Sequence, residues 1–388
     1  MTAPVYRSNS APNYAAQPSI SAEEKIHWLR LIRSENVGPI TFYQLLQRFG
    51  TAKKAIEALP HLARRGGKNG NLKICTLADA EAEMKAHEKH GSRIVVAAEA
   101  EYPPLLKQIE DAPPILSVRG HAHLLQKPCA AIVGTRNASA AGRKFTEKLA
   151  SELGEAGYIV ASGLARGIDS AAHIAALRTG TIAVMAGGID QIYPPDNQEL
   201  YNQITEQGVL ASEIQFGINP QARHFPRRNR IVSGLSLGVV VIEAALQSGS
   251  LITARCALDQ NREVFAVPGS PLDPRCQGTN SLIKQGATLV ESAGDVLEVL
   301  RRIQPPAAHT KSDVFFKALA FTEEKAEQMI AEATPIILEL LSATPTPIDD
   351  LIRMSGLTAP IVLSVIMELE LAGRLQRFPG NKVALFYH

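Results

Sequence analysis

The sequence predicts an α/β protein: a doubly wound, mostly parallel sheet with a helical domain before it and a winged helix after it. Three observations carry this. Short β-branched runs recur at 131–133, 158–160, 182–185, 209–214, 239–242, 264–267 and 288–290, separated by helix-length segments. Five of these runs lead into small-residue turns: Gly134-Thr135-Arg136, Ser162-Gly163-Leu164, Gly187-Gly188, Ser248-Gly249-Ser250 beyond Glu243, and Pro268-Gly269-Ser270. After residue 325 the pattern changes to three helical stretches and a hairpin. In a parallel sheet the carboxyl ends of the strands share one rim, where ligands bind. A row of backbone N–H groups along that rim suits phosphates.

Taken in order, residues 1–20 are rich in Ala, Ser, Pro and Asn, lack a basic-then-apolar signal pattern, and read as a disordered lead. Residues 21–85 form a helical domain. Ile26, Leu29 and Ile32 give one apolar stripe, and Leu45, Leu46 and Phe49 another. Between them lies Asn36-Val37-Gly38-Pro39, with Gly38 suited to a left-handed turn and Pro39 to opening the next helix. This is a sterile-alpha-like or helix-hairpin-helix-like unit. Its hairpin is either a plain helical turn or a donor of N–H groups to a DNA phosphate. Arg64-Arg65-Gly66-Gly67-Lys68-Asn69-Gly70 reads as a mobile basic surface loop able to touch nucleic acid.

Residues 86–303 hold the sheet, with an extra strand at 93–97 adding to an edge. Residues 304–324 begin Gln304-Pro305-Pro306 and read as a linker. Residues 325–388 form the winged helix. Its first helix spans 335–341, its second starts at Pro347, and its third covers 358–371. The wing comprises 374–378, the turn Pro379-Gly380-Asn381, and 383–387. A helix that reads bases needs Arg, Lys, Asn or Gln on its exposed face. The third helix has no basic residue and two acids, Glu368 and Glu370. From 334 to 388 there are four Lys/Arg against five Asp/Glu, a net of −1. The module therefore reads as protein-contacting or fold-regulating rather than base-reading. Arg374, Arg377 and Lys382 keep weak phosphate contact open.

Composition narrows the function. The 388 residues are 45% hydrophobic and 20% charged, enough for two or three folded domains. A formal net charge of +2 confines any nucleic-acid site to a local patch. Cys75, Cys129, Cys256 and Cys276 have no CxxC spacing, which fits a reducing cytoplasm and argues against zinc or disulfides. No apolar run reaches membrane length. There is no Walker motif, no complete GxGxxG, and no acid placed to hold a ribose, so neither ATP hydrolysis by a P-loop nor NAD or FAD binding is expected. No cofactor or metal is called for.

The densest positive cluster is Arg223-His224-Phe225-Pro226-Arg227-Arg228-Asn229-Arg230. Arginines form bidentate phosphate contacts, and Phe225 is placed to stack on an unpaired base. Arg228 and Arg230 are equally suited to pairing with Glu213 or Glu243, whereas Arg227 and Arg136 read as ligand contacts. Ser248-Gly249-Ser250 opens a helix and offers N–H groups and two hydroxyls, for capping, for anion binding, or for both. Ser162 to Asp169, with His173 one turn on, forms another compact loop. No nucleophile stands beside Asp169 and His173, so loop bracing is favoured over acid–base chemistry.

Ile132-Val133-Gly134-Thr135-Arg136, the Ser162-to-His173 run, Tyr193-Pro194, Phe225-Pro226 with Arg228-Asn229-Arg230, Ser248 to Ala254, Phe265 to Gly269, Gly278-Thr279-Asn280 and Gly286-Ala287 together resemble the DprA (Smf) family, the DNA-processing proteins of natural transformation. The resemblance starts at Tyr102-Pro103-Pro104-Leu105 and runs to about residue 300. It implies an extended Rossmann-like fold, a homodimer, single-stranded DNA binding and recruitment of the RecA recombinase, without enzymatic activity. Carried over, the DNA contacts are Gly134, Thr135 and Arg136, then Phe225 and Arg227 with Arg228 and Asn229 beside them, then Ser248, Gly249 and Ser250. Some members carry a basic residue just after Tyr-Pro. Here Pro195 takes that position, and Arg166 is the substitute charge.

Two other functions compete. One is a nucleotide-processing hydrolase with Glu243 as its acid, against which stands the missing Pro-Gly-Gly-x-Gly-Thr-x-x-x-Glu loop. The other is a transcription factor acting through the winged helix, against which stands the third helix, which has no basic residue.

Overall fold

The computed structural model describes residues 20–303, 323–378 and 380–386. The expected lead up to residue 19, the linker from 304 to 322, and Pro379 of the wing turn lie outside them. Four helices come first: α1 (Ala22–Arg33), α2 (Pro39–Phe49), α3 (Ala52–Arg65) and α4 (Leu77–His90). Each start is set by local chemistry. Ser21 caps α1 through Glu24 N, Pro39 fills the first position of α2, Thr51 caps α3 through Lys54 N, and Thr76 with Asp79 forms a capping box on α4. The turn before α2 differs from expectation. Gly38 is extended at φ −91°, and the left-handed residue is Asn36 at φ 60°. Asn36 is held there by its Nδ2, which donates to Leu371 O at 3.1 Å.

The sheet follows, built from β1 (Arg93–Val96), β2 (Ile115–Gly120), β3 (Cys129–Val133), α5 (Ala140–Glu155), β4 (Ile159–Ser162), α6 (Ile168–Ala176), β5 (Thr181–Val184), α7 (Gln198–Gln207), β6 (Val209–Ser212), α8 (His224–Gly234), β7 (Gly238–Val241), α9 (Gly249–Asp259), β8 (Glu263–Ala266), α10 (Gln277–Lys284), β9 (Thr288–Leu289) and α11 (Ala293–Arg302). The nine strands lie in the order β1-β2-β6-β5-β4-β3-β7-β8-β9. The seven from β6 to β9 are parallel. β1 and β2 add an antiparallel edge, with β1 where the sequence places an edge strand. β2 is an addition that the sequence pattern did not reveal.

The strands are buried on both faces, and their alternation sorts the core. Ala130, Ile132, Val160 and Val240 pack with Leu149 and Leu153 of α5, Ile168 of α6 and Leu300 of α11. Ala131, Val133, Ala161 and Val241 face the other way and join Ile231 of α8, Ala254 of α9, and Trp28, Phe42 and Leu59 of the leading helices. One apolar core therefore runs from the N-terminal helices into the sheet. The order in which strands are added reverses at β3: β4, β5 and β6 lie on one side of it, β7, β8 and β9 on the other. That switch point opens a crevice between the ends of β3 and β7.

The C-terminal segment comprises α12 (Glu323–Leu340), β10 (Thr346–Pro347), α13 (Ile348–Ser355), α14 (Ala359–Leu371), β11 (Leu375–Phe378) and β12 (Lys382–Leu385), with a three-stranded sheet β10-β12-β11. α12 begins earlier than the sequence suggests. Pro335 lies inside the helix rather than opening it, and residues 323 and 324 are helical rather than linker. Ile337, Leu351, Val362, Ile366, Leu369 and Val383 form a core of their own.

The opposite side of α14 is not exposed. Met367 and Leu371 belong to the main core, and α14 packs against α3. This revises the reading of 64–70 as a mobile loop. Arg65 lies 3.0 Å from Glu368, Arg374 Nη1 donates to Gly66 O at 3.3 Å, and Lys68 pairs with Glu35 at 2.7 Å.

Candidate nucleic-acid interface

The site grows from the strand ends at the switch point. β3 ends at Val133 and turns through Gly134-Thr135-Arg136. A Cβ on Gly134 would lie 2.6 Å from Ile168 Cγ1, so only glycine fits there without movement. Thr135 N donates to Glu243 O at 2.8 Å, and Thr135 O accepts from Ile168 N at 3.3 Å. The turn is thus fastened to β7 and to α6. Arg136 is exposed, with its Cζ 5.1 Å above the centroid of the Phe225 ring. Tyr193, in the cis Tyr193-Pro194 pair, meets the same ring edge-on at 5.5 Å.

The loop after β4 is held from below. Leu164 is left-handed at φ 55°, and Asp169 accepts from Gly163 N at 3.2 Å and Ala165 N at 3.3 Å. His173 Nε2 accepts from Leu164 N at 3.3 Å, and Thr181 Oγ1 donates to Val160 O at 2.7 Å. The imidazole proton therefore sits on Nδ1 and is given to Thr181 Oγ1 at 2.7 Å. Burial pushes the His173 pKa down to about 3, and burial raises that of Asp169 above the ordinary carboxylate value. Both residues brace the loop, and α6 starts from Gly167, its N-cap. Arg166 is exposed, 3.5 Å from Asp196.

The arginine cluster opens α8, and its members part ways. Arg227 is exposed and 4.0 Å from Glu213. Arg228 is buried: its Nη1 donates to Gly163 O and to Val184 O, so it braces the ends of β4 and β5 instead of presenting its guanidinium. It pairs with neither Glu213 nor Glu243, contrary to the sequence alternative. Arg230 does pair with Glu213, and with Asp111 at 3.2 Å. Asn229 Nδ2 reaches across to Gly249 O at 3.1 Å and ties α8 to the start of α9. There Ser248 is the N-cap, its Oγ accepting from Ser250 N at 3.4 Å, with the two serine hydroxyls 2.7 Å apart.

These elements flank one open groove of about 250 Å³. Gly134, Thr135, Arg136, Phe225, Asn229, Ser248, Gly249 and Ser250 line it, with Arg228 and Asp169 in its floor. A shallow side pocket shares Arg136 and Phe225 and adds Arg166 and Tyr193. Arg227 lies outside both linings. Tyr193 joins the site although the sequence assigns it no contact; an aromatic residue following a strand-end Gly-Gly turn is the signal that points to it. The arrangement offers a cation, a helix N-terminus and an aromatic platform side by side, a set suited to phosphate and base together.

It offers little for chemistry. Glu243, the acid of the hydrolase alternative, is buried and committed: its carboxylate accepts from Ser139 N at 3.0 Å and from Ser139 Oγ, capping α5. Among the described residues no group of three His, Cys, Asp or Glu side chains is arranged to hold a metal, and no helix is long and apolar enough to cross a membrane.

Comparison with known proteins finds matches in all three parts of the chain. The profile of DNA recombination-mediator protein A matches residues 93–301, that of the DprA-like N-terminal HHH domain 22–86, and that of the DprA winged helix domain 322–381. Protein Smf of Escherichia coli (strain K12) is 40% identical over 301 residues, 77% of this chain and 79% of that protein. DNA processing protein DprA of Streptococcus pneumoniae (strain ATCC BAA-255 / R6) is 47% identical over 198 residues, 50% of this chain and 70% of that protein. Among solved structures, DNA processing protein A from Streptococcus pneumoniae aligns with a TM-score of 0.59 at 35% identity, covering 72% of this chain and 98% of that one. DNA processing protein A from Helicobacter pylori, described for its single-stranded DNA binding mode, aligns with a TM-score of 0.50 at 31% identity, covering 54% of this chain and 95% of that one. On its sheet, its flanking domains and these relatives, the chain belongs to the DNA recombination-mediator protein A family, the DprA/Smf proteins.

Proposed function

We propose that this protein holds single-stranded DNA in the groove at the switch point, protects it, and passes it to the RecA recombinase during natural transformation. It acts as a cytoplasmic homodimer and catalyses no reaction. The observation that carries this reading is the exposed Arg136 lying over Phe225 beside the Ser248–Ser250 cup, because together they address a phosphate and an unpaired base. The Helicobacter pylori relative, described for binding single-stranded DNA, supports it. Gly134, Thr135, Arg136, Phe225, Asn229, Ser248, Gly249 and Ser250 are the proposed contacts, with Arg166 and Arg227 reaching DNA outside the groove. Arg228 contributes from beneath by holding the strand ends. The proposed domains are 21–85 and 86–303, with α4 spanning their boundary, and a winged helix that starts with α12 at Glu323 rather than at 325.

The deciding experiment is fluorescence anisotropy of a labelled single strand and its duplex across a salt series. Tight, salt-sensitive, strand-preferring binding that Arg136→Ala weakens is expected. Equal binding of both forms, unchanged by the substitution, would sink the reading. Recombinase loading is tested by the rate at which RecA forms filaments on strand already coated with a single-stranded DNA-binding protein. The homodimer is tested by sedimentation equilibrium.

A further inference from the structure

Two features singled out in the sequence play no part in the rim groove: the Asn36–Pro39 hairpin and the basic stretch 64–70. The fold brings both under α14. Glu370 Oε2 accepts from Thr41 Oγ1, in the first turn of α2, at 2.6 Å, and from Arg377 Nε at 3.0 Å. Glu368, whose side chain is 3% exposed, lies 3.0 Å from Arg65 and 3.9 Å from Arg48. Glu327 reaches Arg65 from α12 at 2.8 Å. The two acids of the helix that has no basic residue are therefore seated on hydroxyl and guanidinium donors of the leading helices. Beyond the contact, α3 adds exposed Lys53, Lys54 and Arg64, with the exposed Glu57 between them.

We propose that this face of α2 and α3 is a second binding site for a DNA phosphate backbone, and that α14 is its built-in occupant, its two carboxylates holding the phosphate positions until nucleic acid displaces the helix. Guanidinium pairs, a hydroxyl and the first turn of a helix are the donors that bind a phosphodiester. A carboxylate is the weaker guest there. Burial pushes the Glu368 pKa up to about 7, against the pull of Arg65 and Arg48, whereas a phosphodiester keeps its charge. Among the described residues, Glu368 Oε1 and both terminal nitrogens of Arg65 are buried without a well-aligned hydrogen bond, so the seat is occupied but imperfectly filled.

Gly66 provides the test. A Cβ there would lie 2.0 Å from Glu368 O and 2.5 Å from Glu368 C, both backbone atoms of α14, and φ of −68° suits alanine. Gly66→Ala is therefore a wedge that changes no charge. It is made in the full chain with Arg136→Ala, so that the rim groove is already weakened. Whether Arg136→Ala alone lowers affinity judges the rim; the wedge judges the second site. Binding of a labelled single strand and of its duplex is followed by anisotropy, and the docking of α14 by hydrogen exchange.

Expected are faster exchange in α14, about tenfold tighter binding, and a log–log salt slope steeper by about one to two. Adding Arg48→Ala with Arg65→Ala should cancel the gain, and the stronger of the two oligonucleotide responses identifies the preferred form. Should α14 stay protected, Glu368→Arg, repelled by Arg48 and Arg65, replaces the wedge under the same criteria. Faster exchange in α14 with unchanged affinity for both oligonucleotides overturns the proposal.

Discussion

Arg136 joins two interactions, a guanidinium free at the surface and a ring beneath it, and the two are separable by substitution. Arg136→Ala is expected to lower single-strand affinity about tenfold and to flatten the log–log salt slope by about 0.7, the signature of one lost phosphate on a single strand. Phe225→Ala is expected to cost about 1–3 kcal/mol with the slope unchanged, since stacking releases no counterions. His173 sets a different dependence. Its folded pKa, about 3, lies below the ordinary 6.5, so the unfolded chain binds the extra proton between those values. Stability is full above pH 6.5 and falls on acidification, by up to about 1.4 kcal/mol per pH unit. His87, pushed by burial to about 4, acts in the same direction. Urea midpoints from pH 7 to pH 4 measure the sum. Much of the site was legible because its turns are small residues at strand ends. The inward course of Arg228 was not, since composition does not say which way a side chain points. Its spacing from His224 and Ile231, both buried, put it on the apolar face of α8 and was the signal to use.

At the scale of elements, the parallel strands announced themselves because burial on both faces leaves an unbroken apolar run. β2 did not. Its Ile115-Leu116-Ser117-Val118 follows Pro113-Pro114, which reads as a breaker, and β6, the partner that joins it to the main sheet, is distant in sequence. α14 hid its docking for another reason: Glu368 and Glu370 speak only against base reading and name no partner, although the helix is apolar almost all round, the mark of a buried one. Leu371→Ala is expected to cost about 2–5 kcal/mol, read from thermal or urea unfolding. Glu368 reverses the histidine effect. A carboxyl raised to about 7 from 4.5 keeps its proton longer in the folded state, so its contribution is full below 4.5 and lost as pH rises through 7. Glu368→Gln should abolish that loss, so the stability difference between variant and wild type should change between pH 5 and pH 8. A constant difference would place Glu368 among ordinary ionised carboxylates.

For the whole molecule, the decisive fact is that the leading helices and the sheet share one core. Trp28, the only tryptophan of the chain, packs on Phe42 in that core with ring centroids 5.0 Å apart. Its fluorescence reports on the helices, whereas far-ultraviolet circular dichroism reports on the whole. The two unfolding curves in urea should coincide, and an earlier fluorescence transition would mean that the helices melt by themselves. The groove has a consequence at this scale too. It is a trough along the rim rather than a closed chamber, so a strand lying in it needs no terminus to enter. Covalently closed single-stranded circles should be bound as well as linear strands of the same sequence, and blocking both ends of a linear strand should change nothing.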